Sequence, residues 1–295
     1  MVLKLKRLNH PIIWFFILFS HPSFVYFNVE FFNNYMYWDL VLSWEFIILT
    51  LIGFLIKFPI YILHFWLPKA HVESPTSGRM LLAGLLLKFG TIGLVHFTGA
   101  IYFLNLFYLC LIAFLGIIFC SFICIVQSAS KSLVAYSSIV HMGFLLLIFL
   151  VSSILTKNAS LIIMVSHGFV STSIFFYVGE FYHSSFTRTL YFLGGFIISN
   201  FLFCYFFSFF ILLNRGMPPS LSFLSEFVGV VSSLNSCFLF IIPILFYFLF
   251  SFYYCGFLLI NIFLGKFFLN IFYIPILYSI SFFFMDFNTI WFTGF

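Results

Sequence analysis

Apolar residues follow one another along this chain in long unbroken stretches, separated by short polar clusters and showing no alternation of period two. Marking the runs between polar punctuation predicts nine membrane-crossing segments, roughly 11–27, 40–66, 80–98, 101–126, 132–152, 159–178, 192–236, 238–263 and 267–284. Most have at least the length, about 20 apolar residues, that a helix needs to cross a ~30 Å hydrocarbon layer. A transmembrane barrel would instead show ~10-residue segments of alternating polarity, whereas Phe201 to Leu213 is apolar almost throughout. Two segments are interrupted. Pro59 closely follows Lys57 in the second, and Asn214-Arg215-Gly216-Met217-Pro218-Pro219 divides the seventh. Proline removes a helix donor and disfavours helix in the residue before it, so both segments read as half-helices meeting inside the membrane. The predicted fold is all-α: a polytopic helical membrane protein of about nine spans, two of them discontinuous, forming a single membrane domain over residues 1–295.

Composition sharpens this reading. Of 295 residues, 64% are hydrophobic and 6% charged, against roughly a quarter charged in a soluble domain, which excludes a soluble globular protein. The 52 Phe residues read mainly as lipid-facing filler. Six Cys lie singly without a C-x-x-C pair, so they read as small buried hydrophobes, not as a disulfide frame, zinc site or iron–sulfur site. The net charge of +5 matters through its placement. Under the nine-span map Lys4, Lys6, Arg7, Lys69, Arg79, Lys131, Arg188 and Lys266 fall on the N-terminal face, and Lys157 alone falls on the other. Lys and Arg favour the side from which helices insert, so the N-terminus is expected on the matrix or cytoplasmic side and the tail with Asp286 opposite. The basic start before the apolar run to Phe19 has no small-residue cleavage site after it, so a removed signal peptide is not expected. No nucleic-acid partner is expected; membrane lipids are.

Three basic residues, Lys57, Lys88 and Arg215, remain inside the membrane. A charge there costs a few kcal/mol on insertion scales and usually faces a protein interior or a hydrated cavity. Lys57 lies where the second span opens; the bland alternative is that it snorkels to an interface. Lys88 stands near the middle of the third span, where snorkelling is difficult. His141 and His167 lie within the fifth and sixth spans, as proton relays or as satisfied core groups. Together, two lysines and two histidines on inner spans point to a polar axis. Glu226, on the second half of the broken seventh span, is the one acid deep in the C-terminal half. It can accept a proton from that axis, or merely balance Arg215. Glu45, twelve residues before Lys57, is about 18 Å away along a helix, too far to pair directly.

Four stretches carry a family resemblance. Phe65-Trp66-Leu67-Pro68-Lys69-Ala70-His71-Val72-Glu73-Ser74-Pro75 and Leu82-Ala83-Gly84-Leu85-Leu86-Leu87-Lys88 resemble the signature of the NADH:ubiquinone oxidoreductase chain 4 family, antiporter-like membrane subunits of respiratory complex I. Leu133-Val134-Ala135-Tyr136-Ser137-Ser138-Ile139-Val140-His141-Met142-Gly143 is similar to that family's tenth helix. Gly216-Met217-Pro218-Pro219 with Ser225-Glu226-Phe227 is similar to its broken twelfth. The His71 and Glu73 pattern favours chain 4 over chain 5. The resemblance covers about residues 40–285 and assigns the nine spans to the family's helices six to fourteen.

The resemblance implies proton-transfer roles for Lys57, Lys88, His141, His167 and Glu226, in a subunit of an H⁺-translocating NADH:ubiquinone reductase of the mitochondrial inner membrane. It implies no redox centre, metal or cofactor in this chain, while the assembled complex uses FMN, iron–sulfur clusters and ubiquinone. Other membrane-arm subunits, chains 5 and 2 above all, are the implied partners. The family's first five helices have no counterpart here, including the one whose glutamate pairs with the broken-helix lysine; a separate polypeptide supplying them is one expectation and a reduced subunit another. The rival functions are a cation/proton antiporter subunit and a non-pumping structural remnant.

Overall fold

The computed structural model describes residues 44–96, 106–151, 153–195, 201–236, 238–264 and 288–289. The predicted first and last spans, 11–27 and 267–284, lie outside the described residues. Those described form helices, numbered here α1 to α10, and no β-strand; their one extended pairing is the isolated bridge between Ala129 and Thr189.

The second predicted span is α1 (Trp44–Lys57), a break, and α2 (Trp66–Glu73). The second half-helix therefore begins where the apolar run ends and extends through residues expected to form a loop. Pro68 permits this because it occupies the first turn of α2, where a missing N–H interrupts no intrahelical bond. After Ser74 and Pro75 the chain re-enters the bundle as α3 (Thr76–Leu81), a π-helical turn (Leu82–Leu86) and α4 (Leu87–His96), together one apolar rod. Next come α5 (Leu106–Val126), α6 (Ser130–Leu150) and α7 (Ile154–Ser185), the last running beyond both ends of its predicted span. The predicted break in the seventh span separates α8 (Phe201–Asn214) from α9 (Leu221–Ser236), and α10 (Ile241–Phe263) follows.

Among the described residues five helical stretches are long and apolar enough to cross a membrane: Thr76–Val95, Tyr108–Val126, Ser130–Leu150, Leu155–Ser185 and Ile241–Phe263. α6 is the axle. Every residue from Ser130 to Leu150 except Tyr136 is buried, and α2, α5, α7 and α10 pack around it. Its apolar character on all sides is what such a position requires. α7 lies against both α6 and α9. The hydroxyls on these two central helices return to their own backbone, as when Ser137, Ser138, Ser166 and Ser171 donate to carbonyls three residues earlier. That local bonding satisfies a polar group where no water reaches.

The basic residues assigned to one membrane face partly converge. Arg79, Lys131 and Arg188 gather around the C-terminal end of α7, while Lys157 belongs to its N-terminal end.

Candidate functional site

Four of the five expected residues form a file through the middle of the bundle. Lys88, in the first turn of α4, points at α7, its Nζ 3.1 Å from His167 Nδ1. The approach depends on small residues: Gly168 lies next to the lysine, a Cβ there falling 3.3 Å from Lys88 Cε, and one at Gly84 would meet Thr172 of α7 at 2.7 Å. Without side chains at these two positions the helices close to contact distance. The π-turn immediately before Lys88 adds an offset to the helix, a device common at functional sites.

His167 faces His141 of α6, ring centres 5.3 Å apart and planes tilted by 51°. His141 Nδ1 is 2.7 Å from the hydroxyl of Tyr247 on α10, and that hydroxyl donates to Glu226 Oε1 at 2.8 Å. With the phenol proton directed to the carboxylate, the Nδ1 proton of His141 is the one that fits the first contact. Nε2 is then left as an acceptor, with the Tyr254 hydroxyl 3.5 Å away. The Tyr247 ring stacks on Phe144, centres 4.1 Å apart and planes within 3°, which fixes the hydroxyl between histidine and acid. The sequence Lys88, His167, His141, Tyr247, Glu226 is sealed, each polar member 7% exposed or less.

Glu226 is held at the second break. The last turn of α8 closes with Met217 N–H donating to Leu212 C=O and Gly216 N–H to Leu213 C=O, the paired bonds of a Schellman cap. Gly216 takes the required left-handed conformation, φ 75°. A Cβ at this glycine would collide with the Glu226 carboxylate, so glycine serves the cap and the acid together. Ser220 Oγ accepts from Phe223 N–H to cap α9, and Ser222 Oγ donates to Leu213 C=O across the gap. Arg215 lays its guanidinium 3.5 Å from the centre of Phe252, and the carboxylate's hydrogen bond goes to Tyr247.

Lys57 is not among the groups this file connects. It ends α1, half-buried, with its backbone against Gly90 of the helix that bears Lys88. Tyr247 is the member that the sequence reading missed. Its signal is the spacing Tyr247, Ser251, Tyr254 along α10, one polar face in a helix of Phe, Leu and Ile, since a buried phenol must find a partner. Among the described residues no three His, Cys, Asp or Glu side chains are grouped to hold a metal ion, and Cys110, Cys120, Cys124, Cys204 and Cys255 are free thiols.

Apolar helices packed around a buried axle, two of them broken, with an ionisable file crossing the interior, define a polytopic helical membrane protein of the antiporter-like class. The transmembrane family of NADH:quinone oxidoreductase and Mrp antiporter subunits matches residues 11–251, and the chain belongs to that family. The NADH-ubiquinone oxidoreductase chain 4 of Caenorhabditis elegans is 46% identical over 243 residues, 82% of this chain and 59% of the relative. That of Ascaris suum is 42% identical over 297 residues, 99% of this chain and 72% of the relative. The chain thus spans less than two thirds of the first relative and somewhat more of the second. The resemblance to chain 4 read from the motifs is borne out by these relatives. A chain of respiratory complex I from Thermus thermophilus with bound NADH shares the fold at TM-score 0.77 and 18% identity, over 83% of this chain and 54% of that one. A chain of the Mrp complex from Dietzia does so at TM-score 0.68 and 18% identity, over 75% and 42% respectively.

Proposed function

We propose that this chain is a proton-translocating subunit in the membrane arm of a mitochondrial complex I, coupling NADH:ubiquinone oxidoreduction elsewhere in the assembly to proton movement through its own interior. The observation that carries the proposal is the sealed file from Lys88 to Glu226. Every member can hold or pass a proton, and hydrogen bonds link them except at the step between the tilted rings of His167 and His141. That step divides the file into a lysine–histidine half and a histidine–tyrosine–carboxylate half. A proton crosses it by reorientation of an imidazole or through a water, and a change in the field at Lys88 sets when. Lys57, beside the helix of Lys88, is suited to modulate that field, and Glu226 to receive the proton last. The relatives' names support the complex I assignment, and the fold shared with the Thermus chain is consistent with it.

On this reading FMN, iron–sulfur clusters and ubiquinone belong to other subunits, chains 5 and 2 are neighbours, and the N-terminus faces the matrix. The fold shared with the Mrp chain supports a second reading, a cation/proton antiporter subunit. Copurification with quinone-reducing subunits favours the first.

The test is Lys88→Met in the intact assembly, in sealed vesicles energised by NADH and quinone. Methionine is unbranched like lysine, one atom shorter and uncharged, so the subunit should accumulate normally while protons moved per electron fall. Unchanged stoichiometry with the altered subunit present would refute the role.

A further inference from the structure

The second break carries a charge that the proton file does not use, Arg215. Its backbone is fixed, since its N–H donates to the carbonyls of Ile211 and Leu212, 3.2 Å from each, in the last turn of α8. Its side chain rests on α10, the guanidinium 3.5 Å from the centre of the exposed Phe252 ring. Glu226 is near enough to act on the same charge. One carboxylate oxygen accepts from Tyr247, and the other lies over Gly216, where a Cβ would collide with it. Gly216 is the residue next to Arg215, and neighbouring Cα atoms stand ~3.8 Å apart. The second oxygen is therefore within reach of the guanidinium by rotation of the arginine stem alone. Of the titratable groups acting on Arg215, Tyr254 and Cys255 are ordinarily neutral near pH 7, which leaves Glu226 as the counter-charge.

We infer that Arg215 is a positioning residue for proton release: its guanidinium rests on Phe252 while Glu226 holds a proton, and swings over Gly216 to the carboxylate as the proton leaves. The inference rests on the proton-transfer reading of Glu226. A nearby opposite charge favours the ionised form of an acid. A cation parked on the ring therefore leaves Glu226 ready to receive a proton from the file, and a cation over Gly216 promotes its release. With no side chain at 216 the two groups can meet. Helix α10 serves both states, Tyr247 holding one oxygen of the acid and Phe252 holding the cation. Neither state leaves the arginine without a partner, which matters because an uncompensated charge is costly within a membrane. The contact with Phe252 is a cation–π contact at an exposed ring, weak enough to be exchanged for a carboxylate.

The experiment uses the intact assembly in sealed vesicles. Dicyclohexylcarbodiimide, an apolar reagent that adds to protonated carboxyls, reads the state of Glu226, and mass spectrometry of the subunit counts the adduct. Met217, Pro218 and Pro219 are exposed at the break, which gives the reagent access. Phe252→Leu removes the aromatic face at an exposed position, so the guanidinium stays with the acid. Labelling of Glu226 should then fall by about two- to fivefold, and protons moved per electron should fall with it. Phe252→Tyr keeps the face and should label as the parent does. In an Arg215→Gln background Phe252→Leu should alter neither reading, because the ring acts only through the cation. Equal effects of Phe252→Leu with and without Arg215, or no effect in either background, would overturn the swing. A labelling cycle that behaves as expected while Lys88→Met pumps at the parent value would overturn the proton-transfer reading and uphold the swing.

Discussion

At residues 58–65 the chain leaves a helix and closes the gap with ring and backbone; at 215–220 it closes a similar gap with a glycine cap and hydroxyls, and a carboxylate fills the turn. In the first break the indole N–H of Trp66 donates to Ile56 C=O at 2.9 Å, taking a carbonyl that the end of α1 leaves open. Leu67 N–H returns to His64 C=O, and Ile62 is held at φ 83°, a left-handed conformation costly for a β-branched residue. The charged group there, Lys57, is half-buried. In the second break Gly216 carries the left-handed φ without strain, and Glu226 is tied through Tyr247 to His141. The two breaks thus differ in what they hold: the second places a carboxylate in hydrogen-bond contact with the interior file, and the first places a lysine beside the helix that bears Lys88.

The largest effect is expected at the carboxylate. Glu226→Gln preserves shape and one acceptor oxygen but cannot ionise, so proton movement per electron should fall by this subunit's full contribution while the assembly keeps its abundance. Glu226→Asp shortens the reach to Tyr247 and should be milder. If the acid merely balanced Arg215, Glu226→Gln would instead lower abundance by stranding a partly buried cation, and adding Arg215→Gln would restore it. Stoichiometry and subunit abundance measured across these variants distinguish the outcomes, and full pumping in the double variant would remove Glu226 from the path.

Tyr247→Phe probes what ties the second break to the file, because it deletes one oxygen from the link between His141 and Glu226 and leaves the stack on Phe144 intact. Two buried partners lose their bond, so stability should drop by roughly 1–3 kcal/mol. Pumping should fall less than in Glu226→Gln, since water admitted into the vacated space can complete the connection. Tyr254→Phe, whose hydroxyl stands 3.5 Å from His141 Nε2, serves as the control and should change pumping little. Equal losses in the two phenylalanine variants would show that the phenol at 247 is not a link.

Much of this site is legible in the amino-acid sequence, for a physical reason. Lys88, His141, His167 and Glu226 are ionisable residues inside apolar runs, and such residues are too costly in a membrane to pass unnoticed. The breaks are legible because proline and glycine act on the chain locally. Tyr247 is legible only as part of the polar spacing Tyr247, Ser251, Tyr254, since it differs from Phe by a single oxygen in a chain with 52 Phe and 16 Tyr, and its neighbours in space reveal what that oxygen does. The half-helix Trp66–Glu73 escapes because it is short and polar, below the length at which hydropathy speaks. The different settings of Lys57 and Lys88 escape as well, because sequence places both lysines in one class and only packing distinguishes the half-buried one from the buried one.

The smallest effect is expected at the first break, and it carries the contrast. Trp66→Phe keeps an aromatic ring against the core and removes the N–H that serves Ile56 C=O. Losing one such bond to a partly buried carbonyl costs about 1 kcal/mol, so the thermal midpoint of the assembled subunit should fall slightly. The end of α1 should loosen, and with it the backbone around Lys57. Because the hydrogen bonds from Lys88 to Glu226 pass through none of these groups, proton movement per electron should stay at the parent value. Thermal denaturation and vesicle stoichiometry measured on the same preparation give both numbers. A fall in pumping comparable to that of Glu226→Gln, with abundance intact, would place the first break on the proton path and end the distinction drawn between the two breaks.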